Sequence, residues 1–325
     1  MKKFLILAGL ALSLVVGGCA KYSDRPKGVT STSGTTILAC DASFENIMEQ
    51  EIGVFEYIYP EVSVLPYYIS EKAAVDSLMG LNIPSAVLAR DLTPQERAYL
   101  ESNKKKPKSK RIAVDAIALI VNPANNVNIL SIKEIKEILS GEITEWNQLE
   151  PSKLGKISVV FDNEGSSTVQ YMKDSLLNGG KFGQNVFAQN TNPEVFEAVK
   201  NNKNAIGIIG VSWVSADMRK AETSSAESLA KSLEVEDTVA STFDTSVKVL
   251  KVRRDDSIEA YQPYQAYIYD GRYPLYRSIY MITTGVGGTP SHGFFSFVTG
   301  FQGQKIIMKT GILPATVHPR MVNVE

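Results

Sequence analysis

Apolar positions alternate between strand-like and helix-like spacing along most of the chain. Thr36 to Cys40 is a short apolar run of strand length. Phe44 to Tyr59 then carries Ile47, Met48, Ile52 and Phe55 at helical spacing. Glu61 to Tyr68 reads as a strand, Ala73 to Met79 as a short helix, and Ala86 to Leu88 as a buried strand. Thr93-Pro94-Gln95-Glu96 predicts a helix start, with a cap, Pro at the first helical position and Glu at the third. Lys104 to Arg111 reads as a basic, solvated loop. The nearly unbroken apolar segment Ile112 to Val121 predicts a strand covered on both faces. A helix capped at Ser131 should run to Gly141. Further strands are expected at 157–161, 205–209, 247–252 and 278–283, and helices at 166–177 and 193–201. Residues 219–235 read as a surface helix or loop, and Phe294 to Thr310 as one closing helix ended by Gly311. The pattern is that of an α/β protein with parallel sheets.

The N-terminus follows a different logic. Met1-Lys2-Lys3 precedes an uncharged run from Phe4 to Gly18, too short to span a bilayer and ordered like a secretory leader. Val16-Gly17-Gly18-Cys19 resembles a bacterial lipobox, which predicts removal of residues 1–18 and lipidation, including palmitate, at Cys19. Residues 19–35, rich in Lys, Ser, Thr and Gly, read as a flexible tether. Cys40 is the only other thiol, so no disulfide within the chain is expected; its apolar strand predicts a buried side chain.

Composition narrows the functional classes. At 44% hydrophobic and 21% charged, the 325 residues can build a folded core and are not a disordered chain. With 34 Lys+Arg against 35 Asp+Glu the net charge is −1, which argues against a nucleic-acid partner. Two His and two Cys are too few for a His- or Cys-rich metal cluster, and neither a metal nor a cofactor is expected.

Several segments together resemble the phosphate-type periplasmic substrate-binding proteins of ABC importers. They are Asp115 to Pro123 with Leu130-Ser131 and Leu139 to Asn147, then Glu164 to Thr168, Ala205 to Ile208, and Gly303 to Ala315. The resemblance covers nearly the whole body from Thr36 onward. It implies a two-lobed, type II periplasmic binding protein fold, each lobe a mixed, mostly parallel sheet flanked by helices. Lobe one would hold residues 36–113 and 280–325, and lobe two residues 114–279. Two crossing strands, near 113–122 and 273–283, would join them. It also implies a monomeric, lipid-anchored protein on the periplasmic or extracellular face of the bacterial envelope. Such a protein captures phosphate or a similar oxyanion between the lobes and delivers it to an inner-membrane ABC permease.

Three loops have the chemistry for an anion. Ser43 and Phe44, Ser70, and Ser166, Ser167 and Thr168 each stand where a helix begins, where backbone N–H groups and the helix dipole attract negative charge. All three match contact loops of the family. One position departs from it: Asp162 stands where the family usually places an Arg, and an anion there opposes an anionic ligand. Arg90 is the candidate to supply the missing positive charge. That reversal also supports an alternative, a surface lipoprotein of the same fold that acts as a sensor or partner-binding module with a non-phosphate ligand. Catalysis is not expected: no Gly-x-Ser-x-Gly elbow is present, and His292 and His318 lie in loops. Trp146, Trp213 and the tyrosines from Tyr261 to Tyr280 read as packing residues.

Overall fold

The computed structural model describes residues 28–234 and 242–316, so the leader, Cys19, residues 20–27 of the tether and His318 lie outside the described residues. The chain opens with β1 (Ser33–Asp41), α1 (Glu45–Ile58), β2 (Glu61–Ile69), α2 (Glu71–Met79), β3 (Ser85–Leu88), α3 (Pro94–Ser102) and the long β4 (Lys108–Val121). It continues through β5 (Ile129–Ser131), α4 (Ile132–Ser140), β6 (Ser158–Phe161), α5 (Ser167–Leu177), β7 (Val186–Ala188), α6 (Asn192–Asn201) and β8 (Ala205–Gly210). Then come α7 (Ala216–Glu222), α8 (Ala226–Ser232), β9 (Lys248–Val249), β10 (Lys251–Arg253), β11 (Ala260–Tyr261) and α9 (Gln265–Tyr269). The return is β12 (Tyr276–Thr283), α10 (Pro290–Val298), α11 (Phe301–Lys309) and β13 (Leu313–Pro314).

The main sheet runs β2-β1-β3-β12-β4-β8-β6-β7. β1 pairs in parallel with β2 and β3 at one side, and β6 in parallel with β7 and β8 at the other. Between these two parallel groups, β4 is antiparallel to both neighbours. Its residues 108–116 pair with β12 and its residues 117–121 with β8. The sheet is thus mixed, as the two-lobed fold requires, and one strand belongs to both halves. Because helices cover both faces there, Ile112, Ala113 and all residues from Asp115 to Val121 are buried. The chain passes from one parallel group to the other without leaving this strand.

Several expectations need correction. Lys108 to Arg111 is not loop: these residues open β4, held by pairing with Tyr280 to Thr283 of β12, and only 104–107 remain outside an element. The closing helix is two helices. Thr299 and Gly300 separate α10 from α11, and a Cβ at Gly303 would stand 2.5 Å from the Val298 Cα. The apolar period therefore continues across a fold-back that only glycine permits. The run Val247 to Val252 divides at Leu250, with β9 joining β4 and β10 joining β5 and β11. Residues 219–235 contain the end of α7 and all of α8, which packs on α1 through buried Leu229. β1 starts at Ser33, so the sheet takes up residues assigned to the tether.

Cys40 is buried and free, and burial together with the neighbouring Asp41 and Glu45 carboxylates pushes its thiol pKa well up. Trp146 is fully buried and donates Nε1–H to the Asn204 carbonyl at 3.0 Å. Tyr273 is buried at the crossing and donates to the Ile117 carbonyl at 2.6 Å. Tyr261 and Tyr267 pack on each other and against the Arg272 guanidinium. No helix among the described residues is long and apolar enough to cross a membrane.

Candidate functional site

β1 ends on an acid, Asp41, and β6 is followed directly by another, Asp162, and each acid is followed by a helix start. That is the edge of an α/β sheet where ligands gather. Asp41 Oδ1 accepts the Ser43 N–H at 3.0 Å and so caps the short 3-10 turn Ala42–Phe44 that leads into α1. Ser166 caps α5, its Oγ accepting from the Val169 N–H at 3.2 Å while donating to Asp162 Oδ1. Ser70 caps α2 by accepting from the Ala73 N–H at 3.3 Å. In each case a small hydroxyl or carboxylate satisfies a helix N–H that has no partner within the helix.

These starts converge. The Ser43 hydroxyl lies 3.4 Å from Thr168 Oγ1, accepts from Ser167 Oγ at 3.5 Å, and donates to Asp162 Oδ2 at 3.4 Å. Ser43, Ser166, Ser167 and Thr168 are all buried. Ser70 closes the group from α2: a Cβ at Gly165 would come within 2.8 Å of the Ser70 Cβ. Gly165 is therefore the residue that lets the α2 and α5 starts meet.

The cation at this place is Arg277. It projects from β12 directly opposite Asp115 of β4, and its Nε and Nη2 both donate to Asp115 Oδ2, at 3.2 and 3.0 Å. Its remaining arm, Nη1, donates to Ser167 Oγ at 2.7 Å. The guanidinium carbon stands 4.7 Å from the centre of the Phe44 ring, a cation–π platform. Phe44 thus holds the cation from below, and its neighbour Ser43 presents a hydroxyl. Trp213 fixes the same turn by donating Nε1–H to the Ser43 carbonyl at 3.0 Å.

Arg90 is elsewhere. Both its terminal nitrogens donate to Glu96, each at 2.8 Å, and that carboxylate also completes the capping box of α3. Sequence reasoning therefore brought Ser43, Phe44, Ser70, Ser166, Ser167 and Thr168 to one place but missed Arg277, Asp41 and Asn192. One signal for Arg277 was present: it is the only charged residue in the otherwise apolar and polar strand Tyr276 to Thr283. A charge in a buried strand requires a partner, and Asp115 is the corresponding anomaly in β4.

The electrostatics are mixed in sign. Burial, with Asp41 adding repulsion, pushes the Asp162 carboxyl up to about 6, although hydrogen bonds from Ser166 and Ser43 and the charge of Arg277 pull it back. Asp115 is also raised, by burial, against the opposing pull of Arg277. Asn192 donates to Asp162 Oδ2 at 3.4 Å. Asp41 Oδ2 is buried with no hydrogen-bond partner among the described residues, so it can accept from a donor brought by a ligand. Among the described residues no group of three or more His, Cys, Asp and Glu is arranged to hold a metal.

A family model described as the PBP superfamily domain matches residues 26–300. The chain is 23% identical to the phosphate-binding protein PstS of Borreliella burgdorferi, covering 96% of this chain and 99% of that one. It is 20% identical to PstS of Pseudomonas aeruginosa, covering 95% and 92%. Among solved structures, a phosphate ABC transporter substrate-binding protein from Clostridium perfringens, with phosphate bound, superposes with a TM-score of 0.68 at 24% identity, over 87% of this chain and 100% of the other. An ABC-type phosphate transport receptor from Vibrio cholerae gives 0.60 at 20%, over 86% and 100%. These relatives are named as binding or transport proteins, not enzymes.

Proposed function

Because the chain belongs to the PBP superfamily, we propose that it is an extracytoplasmic receptor that captures a phosphate-like oxyanion in its cleft for an ABC importer. The observation that carries this reading is the cluster of Ser43, Ser167 and Thr168 hydroxyls, in which Ser167 accepts from the third arm of Arg277. Hydroxyls from the α1 and α5 starts now bond to each other. An oxyanion entering between them would replace those contacts with charge-assisted ones, which are about twice as strong as neutral hydrogen bonds. The Ser167 and Thr168 N–H groups in the first turn of α5 add to the attraction. Ser70, set against Gly165, would close the remaining side.

The carboxylates select among oxyanions. Asp41 Oδ2 has no donor, and an ion that retains an acidic hydroxyl can supply one, whereas fully deprotonated sulfate cannot. Phosphate carries such a proton at neutral pH. The relatives named as phosphate-binding proteins support the same choice. β4 and β12 would form the hinge, with lobe one at residues 36–113 and 280–325 and lobe two at 114–279. Binding would then favour the closed arrangement that a permease reads.

Cys19 would carry the lipid that fixes the protein to the envelope membrane. Labelled palmitate should enter the wild type and not Cys19→Ala. For the ligand, calorimetry of the leader-free protein at low salt is the test. Phosphate should bind and sulfate should not; absence of phosphate heat, with the protein folded, would end this reading.

A further inference from the structure

One end of the main sheet carries a charge that the anion site does not use. Residues 104–111 hold Lys104, Lys105, Lys106, Lys108, Lys110 and Arg111 and no acid, in a chain of net charge −1. All but Lys105, which is half-buried, are exposed. Among the described residues none of the six forms an ion pair. Of the acids around α3, Glu96 is held by Arg90 and Asp91 by Arg97, which leaves Glu101 beside the strip. The backbone of the strip is fixed. The Lys104 and Lys105 N–H groups donate to the Glu101 and Leu100 carbonyls, each at 2.9 Å, and residues 108–111 pair with β12. Charges held this way lose little freedom when they meet a partner.

Their place in the fold identifies that partner. Lys108 pairs with Thr283, the last residue of β12, and Thr283 with Ser85, the first of β3. The strip therefore lies at the end where β3 begins. Asp115 of the anion site stands seven residues further along β4 than Lys108, roughly 20 Å away. Lys108 Nζ is 2.8 Å from His292 Nε2, and the next residue, Gly293, packs against the Ser31 carbonyl. The segment leading back to Cys19 thus meets the body beside the strip, and it brings Lys21, Arg25 and Lys27 against one acid, Asp24. Two exposed apolar side chains flank the charges. Val286, 69% exposed, follows Thr283 by three residues, and Tyr99, 47% exposed, lies in the last turns of α3.

We propose that this end of the protein docks on the anionic phospholipid surface of the membrane that would hold the Cys19 lipid. The six cations meet headgroup phosphates, and Val286 and Tyr99 enter the interface, where such side chains are favoured. The lipid anchor keeps the protein at the membrane; the strip orients it. The sheet stands on its basic end, with the anion site held roughly 20 Å from the headgroups. The choice of membrane rests on the proposed anchor, and nothing in the docking rests on the ligand.

The leader-free protein without its lipid tests this, because any membrane binding then belongs to the chain itself. It should cosediment at low salt with vesicles of about one-third phosphatidylglycerol in phosphatidylcholine, and not with phosphatidylcholine alone. Salt at about 0.5 M should release it. Each cation near such a surface contributes roughly fivefold to partitioning, so the combined variant Lys104→Gln, Lys106→Gln and Lys110→Gln should bind about 100-fold more weakly. Its phosphate affinity and urea midpoint should match the wild type, which separates lost docking from lost folding. An environment-sensitive fluorophore attached through V286C should shift to the blue on these vesicles, and one through I258C, between β10 and β11, should not. Cys19→Ala in both leaves only buried Cys40 as a competing thiol. Absence of vesicle binding, binding undiminished in the combined variant, or a blue shift at both positions would overturn the proposal. Retention on polyglutamate without vesicle binding would assign the strip to an acidic protein and overturn it too. Phosphate heat on the same samples decides the receptor reading separately.

Discussion

Two arginines in this protein each grip a carboxylate with two nitrogens, and they do opposite work. Arg277 and Asp115 are 3% and 0% exposed and face each other across β12 and β4. Arg90 and Glu96 are 40% and 18% exposed and lie six residues apart beside the α3 start. The buried pair stands at the crossing of the sheet with one arm left for Ser167; the exposed pair is used up on Glu96 and its capping box. Charge alone did not distinguish them. Burial and the direction of the third arm did.

The largest test of that contrast is Arg277→Ala. It should abolish measurable phosphate binding and, by leaving Asp115 buried and unpaired, cost about 3–5 kcal/mol in chemical denaturation. Arg277→Lys should recover part of the stability but little binding, because one ammonium cannot serve Asp115 and Ser167 together. Next is Asp162→Asn, which should tighten phosphate about 10- to 100-fold at pH 7.5 by removing a like charge beside the anion.

The pH dependence follows from the same residue. Asp162 has its folded pKa raised to about 6, above the unfolded value of about 3.9. Its stabilising contribution is therefore complete below pH about 4 and is lost as pH rises through about 6. Stability without ligand should fall across that window in the wild type and lose this component in Asp162→Asn, as urea midpoints at fixed salt would show. Thr168→Ala should weaken phosphate about tenfold, the value of one hydrogen bond to a charged group. The smallest effect belongs to Arg90→Ala. It should leave phosphate affinity within about twofold and cost no more than about 1 kcal/mol, because the pair is partly exposed. A large loss of binding in that variant would erase the contrast between the two arginines.

How much could be read from the sequence depended on range. Ser70, Ser131 and Ser166 mark helix starts through contacts three residues away, so local chemistry identifies them. The apolar run Ile112 to Val121 is equally legible, since burial on both faces leaves no polar alternation. Arg277 is separated from Asp115 by 162 positions and from Ser167 by 110, so neither neighbour is visible along the chain. Arg90, followed directly by Asp91, was the more conspicuous cation. The break between α10 and α11 was hidden for a related reason: the reason for glycine at 303 is the Val298 backbone packed against it, which no periodicity records.

The start of the body also fixes a length. A Cβ at Gly293 would stand 1.8 Å from the Ser31 carbonyl oxygen, so the chain at Ser31 lies directly on α10. With the lipid proposed at Cys19, twelve residue steps separate the membrane from this first anchored point. A chain of that length spans at most about 40 Å. The receptor would patrol a shell of bilayer surface no deeper than its own diameter. Its encounters with a permease would then be a two-dimensional search, set by lateral diffusion of the lipid more than by the affinity of the cleft.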